Sequence, residues 1–198
     1  QQQSLDGLQV ALSQPGSIAQ FAMTRALYGD APYGAVASQR SISATTRDDM
    51  ATYHRTYWRP DNAVLVITGD VSADEGFALA ERYFGDWPHP STPAPARPDA
   101  SAYAAAPRAI VVDLPETGQA AVLMGLRGVA RTDADYFPLL VANNVLGGGY
   151  SARLNTEIRI RRGLSYGANS SLQARVAPGP IIASAQTRND AAVQVYEL

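Results

Sequence analysis

Between Pro88 and Pro107 the chain holds six prolines, many alanines and almost no large apolar side chains. Each proline removes a backbone donor and fixes φ, so no long helix or central strand can run through this stretch. It predicts a partly extended, semi-rigid linker over 88–107. Charge changes across it: residues 1–100 carry 7 Arg and 11 acids, net −4, whereas residues 101–198 carry 9 Arg and 7 acids, net +2. Two lobes joined by a tether are therefore expected.

In the first lobe, Ile18, Phe21, Ala22 and Ala26 share one helical face, which predicts a helix over 4–28 interrupted near Pro15-Gly16. Residues 29–43 read as a loop turning at Ala31-Pro32-Tyr33-Gly34. Thr46 with Asp49, and Ser72 with Glu75, are spaced as capping boxes opening two further helices, the first closed by Pro60-Asp61-Asn62. Between them Ala63 to Thr68 is apolar and β-branched, so a buried strand is expected.

The second lobe predicts strands at 109–114 and 119–126, then a helix capped by Thr132 and Asp135 and running to Leu146. Gly147-Gly148-Gly149 follows, with Ser151 as N-cap of a short helix reaching about Arg162, where Gly163 suits a left-handed stop. Strands at 164–174 and 180–186 flank a turn at Val176-Ala177-Pro178-Gly179. The class is α+β, with antiparallel sheets packed against helices.

Composition excludes several chemistries. Apolar residues make up 46% of the 198, enough for a core, and no apolar run approaches the roughly 18 residues of a membrane span. All 16 basic residues are Arg, which removes a Schiff-base or P-loop lysine. With no Cys, thiol catalysis, disulfides and cysteine-ligated zinc are excluded. A net charge of −2 argues against nucleic-acid binding. His54 and His89, 35 positions apart, belong to no zinc-ligand spacing, so no metal site is assigned to this chain. The chain opens without Met or a leader pattern and stops just after a helix start at Asn189-Asp190. A piece of a longer polypeptide is expected.

Two clusters could carry chemistry. Gly147, Gly148 and Gly149 precede a helix and read either as a substrate-contacting loop or as a flexible connector. Arg159 and Tyr166 flank the Gly163 transition from helix to strand. Such a bend can bring a guanidinium and a phenol into one pocket, several donors suited to a carbonyl developing negative charge. The acidic pairs Asp48-Asp49 and Asp133/Asp135 sit at helix starts and read as caps.

Taken in order, Tyr33-Gly34, Pro60-Asp61-Asn62, Val64 to Val71 and Tyr83 to Trp87 resemble the inverted-motif zinc peptidases. So do Leu140 to Gly149 with Ser151 to Leu154, and Glu157-Ile158-Arg159 with Arg162 to Tyr166. That family includes pitrilysin, insulysin and the mitochondrial processing peptidase, and the likeness covers nearly the whole chain. It implies two-layer halves like those of the processing peptidase. Residues 1–87 would be the C-terminal half of a first domain and 108–198 the N-terminal half of a second. It also implies a zinc-dependent metalloendopeptidase whose domains close around an extended peptide. Arg159 and Tyr166 match the family's Arg and Tyr, seven residues apart, which contact the substrate carbonyl; the glycine run matches a substrate-handling loop.

The chain has no His-x-x-Glu-His, so zinc is expected in the parent or in a partner subunit, and the fragment is expected to be inactive alone. Ala31, where family enzymes often carry His, hints at a noncatalytic copy. The alternative is accordingly a noncatalytic peptide-binding or assembly subunit of the same fold. Self-association through exposed apolar surface is expected. A periplasmic location is expected from bacterial relatives, with the cytoplasm as the alternative.

Overall fold

The structure, a computed structural model, describes residues 1–96, 99 and 106–198. Residues 97, 98 and 100–105 of the expected linker lie outside the described residues. Two compact units emerge: residues 1–42 together with 98–198, and residues 43–97. Residues 1–42 fall in the unit of the sheet because the helix Pro15–Tyr28 packs on the strand Gln119–Arg127.

In the first unit, α1 (Gln2–Leu12) and α2 (Pro15–Tyr28) are separated at Ser13-Gln14, where Pro15 takes the first helical turn. After the predicted loop turn comes α3 (Gln39–Ala44), a helix within the stretch 29–43 expected to be loop. Ser38 and Ser41 exchange side-chain and backbone hydrogen bonds at its start, a serine version of a capping box. The sheet has the order β1-β3-β2 and is antiparallel throughout: β1 (Gln119–Arg127), β2 (Ser165–Leu172) and β3 (Pro180–Arg188).

Register sorts the two faces of this sheet. Val122 pairs with Ala185 and Ala168 pairs with Ala185, so these three share one face. That face is the core, where Ala168 and Ala185 are buried with Ile158 and Val195. Helix α6 (Tyr136–Leu146), a π-helical segment (Asn155–Arg161) and α7 (Ala192–Tyr196) supply the helical layer around the sheet. The opposite face carries Leu123, Ser184 and Asn169 in register, and α2 packs beside it on β1. Tyr28, at the end of α2, is almost fully buried; its hydroxyl donates to Pro178 O at 3.1 Å. Tyr33 meets its ring edge-on at 5.7 Å, and the Tyr33 hydroxyl accepts from the Ala177 N–H at 3.2 Å.

The second unit contains α4 (Arg47–Tyr57) and α5 (Ala73–Phe84), each opened by the expected capping box. Arg59 is buried and bonds Asp61 in a fork while also donating to Thr92 O.

Four local expectations are corrected. Residues 63–68 form no strand: Val64 is 89% and Val66 75% exposed, with no strand beside them among the described residues. Residues 109–114 likewise form no strand, and Val111 is 94% exposed. A β-branched run becomes a buried strand only where another strand is available to satisfy its backbone. The Thr132/Asp135 cap does not form; the Asp133 carboxylate accepts from the Asp135 N–H instead, and α6 starts later, at Tyr136. Ser151 is not an N-cap; its carbonyl accepts from the Thr156 hydroxyl within a helix widened to π geometry.

Candidate functional site

The site is built where the glycine run, the π-helical segment and β2 converge. Gly147 is buried, and its carbonyl accepts from the Ser170 N–H at 2.9 Å. Asn143, one turn earlier, donates its side-chain amide to Ser170 O at 3.3 Å. These bonds lay the start of the run along the free edge of β2, which covers that edge against other strands. Gly148 and Gly149 are exposed beyond it, ahead of Tyr150.

At the other end of the π-helical segment Gly163 adopts φ +63, as its sequence position predicts. The left-handed residue turns two successive N–H groups back, Gly163 onto Arg159 O and Leu164 onto Ile158 O. The chain then enters β2 through a bulge. Ser165 pairs with Thr187 and Ala168 with Ala185, so Tyr166 and Gly167 together oppose Gln186. Ser165 holds this bulge: its hydroxyl accepts from the Gly167 N–H at 3.0 Å and lies 2.8 Å from Gln186 O.

The bulge determines where Tyr166 points. Counting back from buried Ala168 in a regular strand would place residue 166 on the core face. The extra residue shifts the phase, and Tyr166 stands 90% exposed. There it lines a groove of about 390 Å³ on the face opposite the core, shared with Gly16 and Gln20 of α2, Leu123, Asn169 and Ser184.

The sequence-predicted pair is brought together. The Arg159 guanidinium carbon lies 5.0 Å from the Tyr166 ring centroid, and also 5.0 Å from that of Tyr150. A cation against aromatic faces is held without being neutralised. Its helical neighbours are neutralised: Glu157 pairs with Arg161 at 3.0 Å and Arg162 at 2.8 Å. Hydrogen bonds from Arg162, then Arg161, hold the Glu157 carboxyl below its ordinary range. Among the described residues Arg159 joins none of the ion pairs. Its N–H groups and the Tyr166 hydroxyl are hydrogen-bond donors suited to a carbonyl oxygen.

Tyr150, Asn155 and Ser165 are parts of the site that sequence reasoning missed. Gly167 next to Tyr166 was the available signal for the bulge, since glycine inside a strand often marks one. Nothing comparable marked Asn155.

The remaining candidates do not form a metal centre. His54 stacks on Trp58 at 6.0 Å. Among the described residues no three His, Asp or Glu side chains gather as a ligand set. The residues present do not fit a zinc ion, and no step here runs through one. Among the described residues no helix is long and apolar enough to cross a membrane.

Comparison with known proteins places the chain in a family. The model of the family described as "Peptidase M16 inactive domain" matches residues 44–198, and the chain belongs to that family. It is similar to an uncharacterized zinc protease of Mycobacterium leprae, 34% identical over 150 residues, covering 74% of this chain and 34% of that protein. It is also similar to the mitochondrial-processing peptidase subunit beta of Caenorhabditis elegans, 29% identical over 106 residues, covering 54% of this chain and 22% of that one. The crystal structure of a peptidase M16 inactive domain from Pseudomonas fluorescens superposes with a TM-score of 0.84 at 26% identity. That match covers 99% of this chain and 47% of the other. The chain thus spans about a third of the curated relative's length and about half of the solved one. It is part of a zinc-protease-family protein, and its α+β fold is that of the family.

Proposed function

We propose that this chain forms the substrate-facing part of a zinc-dependent metalloendopeptidase, with Arg159 and Tyr166 binding the carbonyl of the bond to be cleaved. The observation that carries the reading is the pairing itself. An arginine without a carboxylate partner among the described residues lies against an exposed tyrosine that a bulge turns toward a groove. Donors aimed at an oxygen that gains negative charge stabilise it most when they are fixed in advance. The groove beside Tyr166 would take the extended peptide, and Gly148-Gly149 would lie against it. On this reading the fragment is inactive alone, and zinc comes from another segment of the parent or from a partner subunit of the same family. Residues 1–87 and 108–198 then complete, with segments outside this chain, a first and a second peptidase-like domain. Self-association and a periplasmic location belong to the same proposal.

The test is turnover of a fluorogenic peptide by the assembled parent enzyme. Arg159→Ala and Tyr166→Phe are each expected to lower kcat/KM by more than about tenfold; loss of one oxyanion donor typically costs about 10²–10³ in kcat. Unchanged turnover in both removes the assigned role. The matched family's description as an inactive domain favours a second reading, a noncatalytic copy that grips peptide without cleaving it. In that case the same variants weaken peptide binding by the parent, and the parent shows no turnover of its own.

A further inference from the structure

We infer that Asn155 is the positioning residue of this site, a buried bracket that sets the Arg159 guanidinium between Tyr150 and Tyr166. The inference rests on the functional reading above and deepens it. Asn155 is only 4% exposed. A buried amide must be bonded at both ends, or it costs more than an apolar side chain of the same shape. Both ends are bonded here, and each goes to a different segment of the site. The Nδ2 donates to Tyr150 O at 2.6 Å, at the exit of the glycine run. The Oδ1 accepts from the Ala168 N–H at 3.3 Å, just past the bulge that turns Tyr166 outward. Asn155 itself opens the π-helical segment that carries Arg159 four residues on. One side chain therefore ties together the three backbone segments that present the two rings and the cation.

The residue type follows from those bonds. One end must donate to a carbonyl while the other accepts from an N–H, and a short amide does both. An aspartate would keep the acceptor but turn an oxygen toward Tyr150 O and bury a charge. Leucine has a similar shape and offers neither bond. π-Helical geometry is frequent where a functional side chain is re-aimed.

The test is a double-mutant cycle on the full-length parent enzyme with a fluorogenic peptide. Asn155→Leu is expected to lower kcat at least about fivefold in the wild-type background and less than about twofold in the Arg159→Ala background, because coupled residues are not additive. An equal loss in both backgrounds overturns the inference, since a general structural defect acts whether or not Arg159 is present. Should Asn155→Leu fail to fold, Asn155→Asp serves in the same cycle with the same expectation, its Ala168 acceptor being retained. A second readout does not depend on activity: fluorotyrosine placed at position 150 reports its ring environment by 19F NMR. Asn155→Leu or Asn155→Asp is expected to move that resonance, and an unmoved resonance overturns the positioning role. If Arg159→Ala proves to have full turnover, the catalytic reading fails, and the resonance alone decides whether Asn155 sets the geometry.

Discussion

Placing a methyl group at Gly147 probes the packing of the site directly. A Cβ built there would lie 2.3 Å from Ser170 N, 2.6 Å from Ser170 Oγ and 2.8 Å from Asn169 C. Ordinary contact begins at 3.4 Å, so the glycine run and β2 must separate by roughly an ångström. Overpacking of this kind costs about 1–3 kcal/mol. Separation also loses the Ser170 N–H bond to Gly147 O, worth about 1 kcal/mol. Alanine's smaller unfolded-state entropy returns about 0.4–1 kcal/mol. Gly147→Ala is therefore expected to destabilise by about 1–3.6 kcal/mol, while Gly149→Ala, whose Cβ would meet nothing within 4 Å, stays within about 0.5 kcal/mol of wild type. Urea denaturation followed by far-ultraviolet circular dichroism measures both. Amide exchange at Ser170 localises the effect, because that N–H loses protection only if the run lifts from the strand. Equal stabilities for the two variants, with Ser170 still protected in Gly147→Ala, would refute the packing argument.

Other consequences concern the capping boxes and the buried tyrosine. Thr46→Ala and Ser72→Ala should each lower stability by about 1 kcal/mol through loss of an N-cap, read as a lower urea midpoint. The Asp49 carboxyl is held below its ordinary range by the Thr46 hydroxyl and then its backbone N–H, and Glu75 by the Ser72 backbone and then its hydroxyl. A carboxylate with a depressed folded pKa stabilises fully above its unfolded value of about 4, and the effect is lost as pH falls below that toward the folded value. Helicity should therefore fall on acidification below about pH 4, less steeply in Asp49→Asn; identical acid profiles would contradict this. Burial pushes the Tyr28 phenol up, against the opposing charges of Arg175 and Arg127. A raised folded pKa gives stability that is complete below the unfolded value of about 10 and is lost as pH rises above it. Tyr28→Phe should cost about 1 kcal/mol at neutral pH, for the bond to Pro178 O, and should flatten the alkaline loss.

Much of the fold was legible because local chemistry fixed it. The Thr46/Asp49 and Ser72/Glu75 boxes formed as spaced, and Gly163 took the left-handed conformation its place demanded. β1 and β3 appeared where apolar runs lay between turn residues, and β2 where the chain resumes after Gly163. Residues 63–68 and 109–114 failed for the converse reason. Their composition says they can be strands, but a strand's existence depends on a neighbour, which its own sequence does not encode. In the site, the meeting of Arg159 with Tyr166 followed from the bend at Gly163. The bulge that aims Tyr166, the π-helical widening and the Asn155 bracket depend on tertiary hydrogen bonds between segments distant along the chain. Gly167 signals the bulge, but no spacing rule displays where it aims Tyr166 or which segments Asn155 joins.

The central claim is that Arg159 and Tyr166 hold the oxygen of the carbonyl to be attacked. Its most direct test is a crystal structure of the parent protein with an uncleavable peptide bound in its cleft. The account predicts a peptide carbonyl oxygen within hydrogen-bonding distance, about 2.6–3.2 Å, of both the Tyr166 hydroxyl and an Arg159 N–H group. A bound peptide whose carbonyls all find other donors, leaving both side chains turned toward solvent, would contradict it.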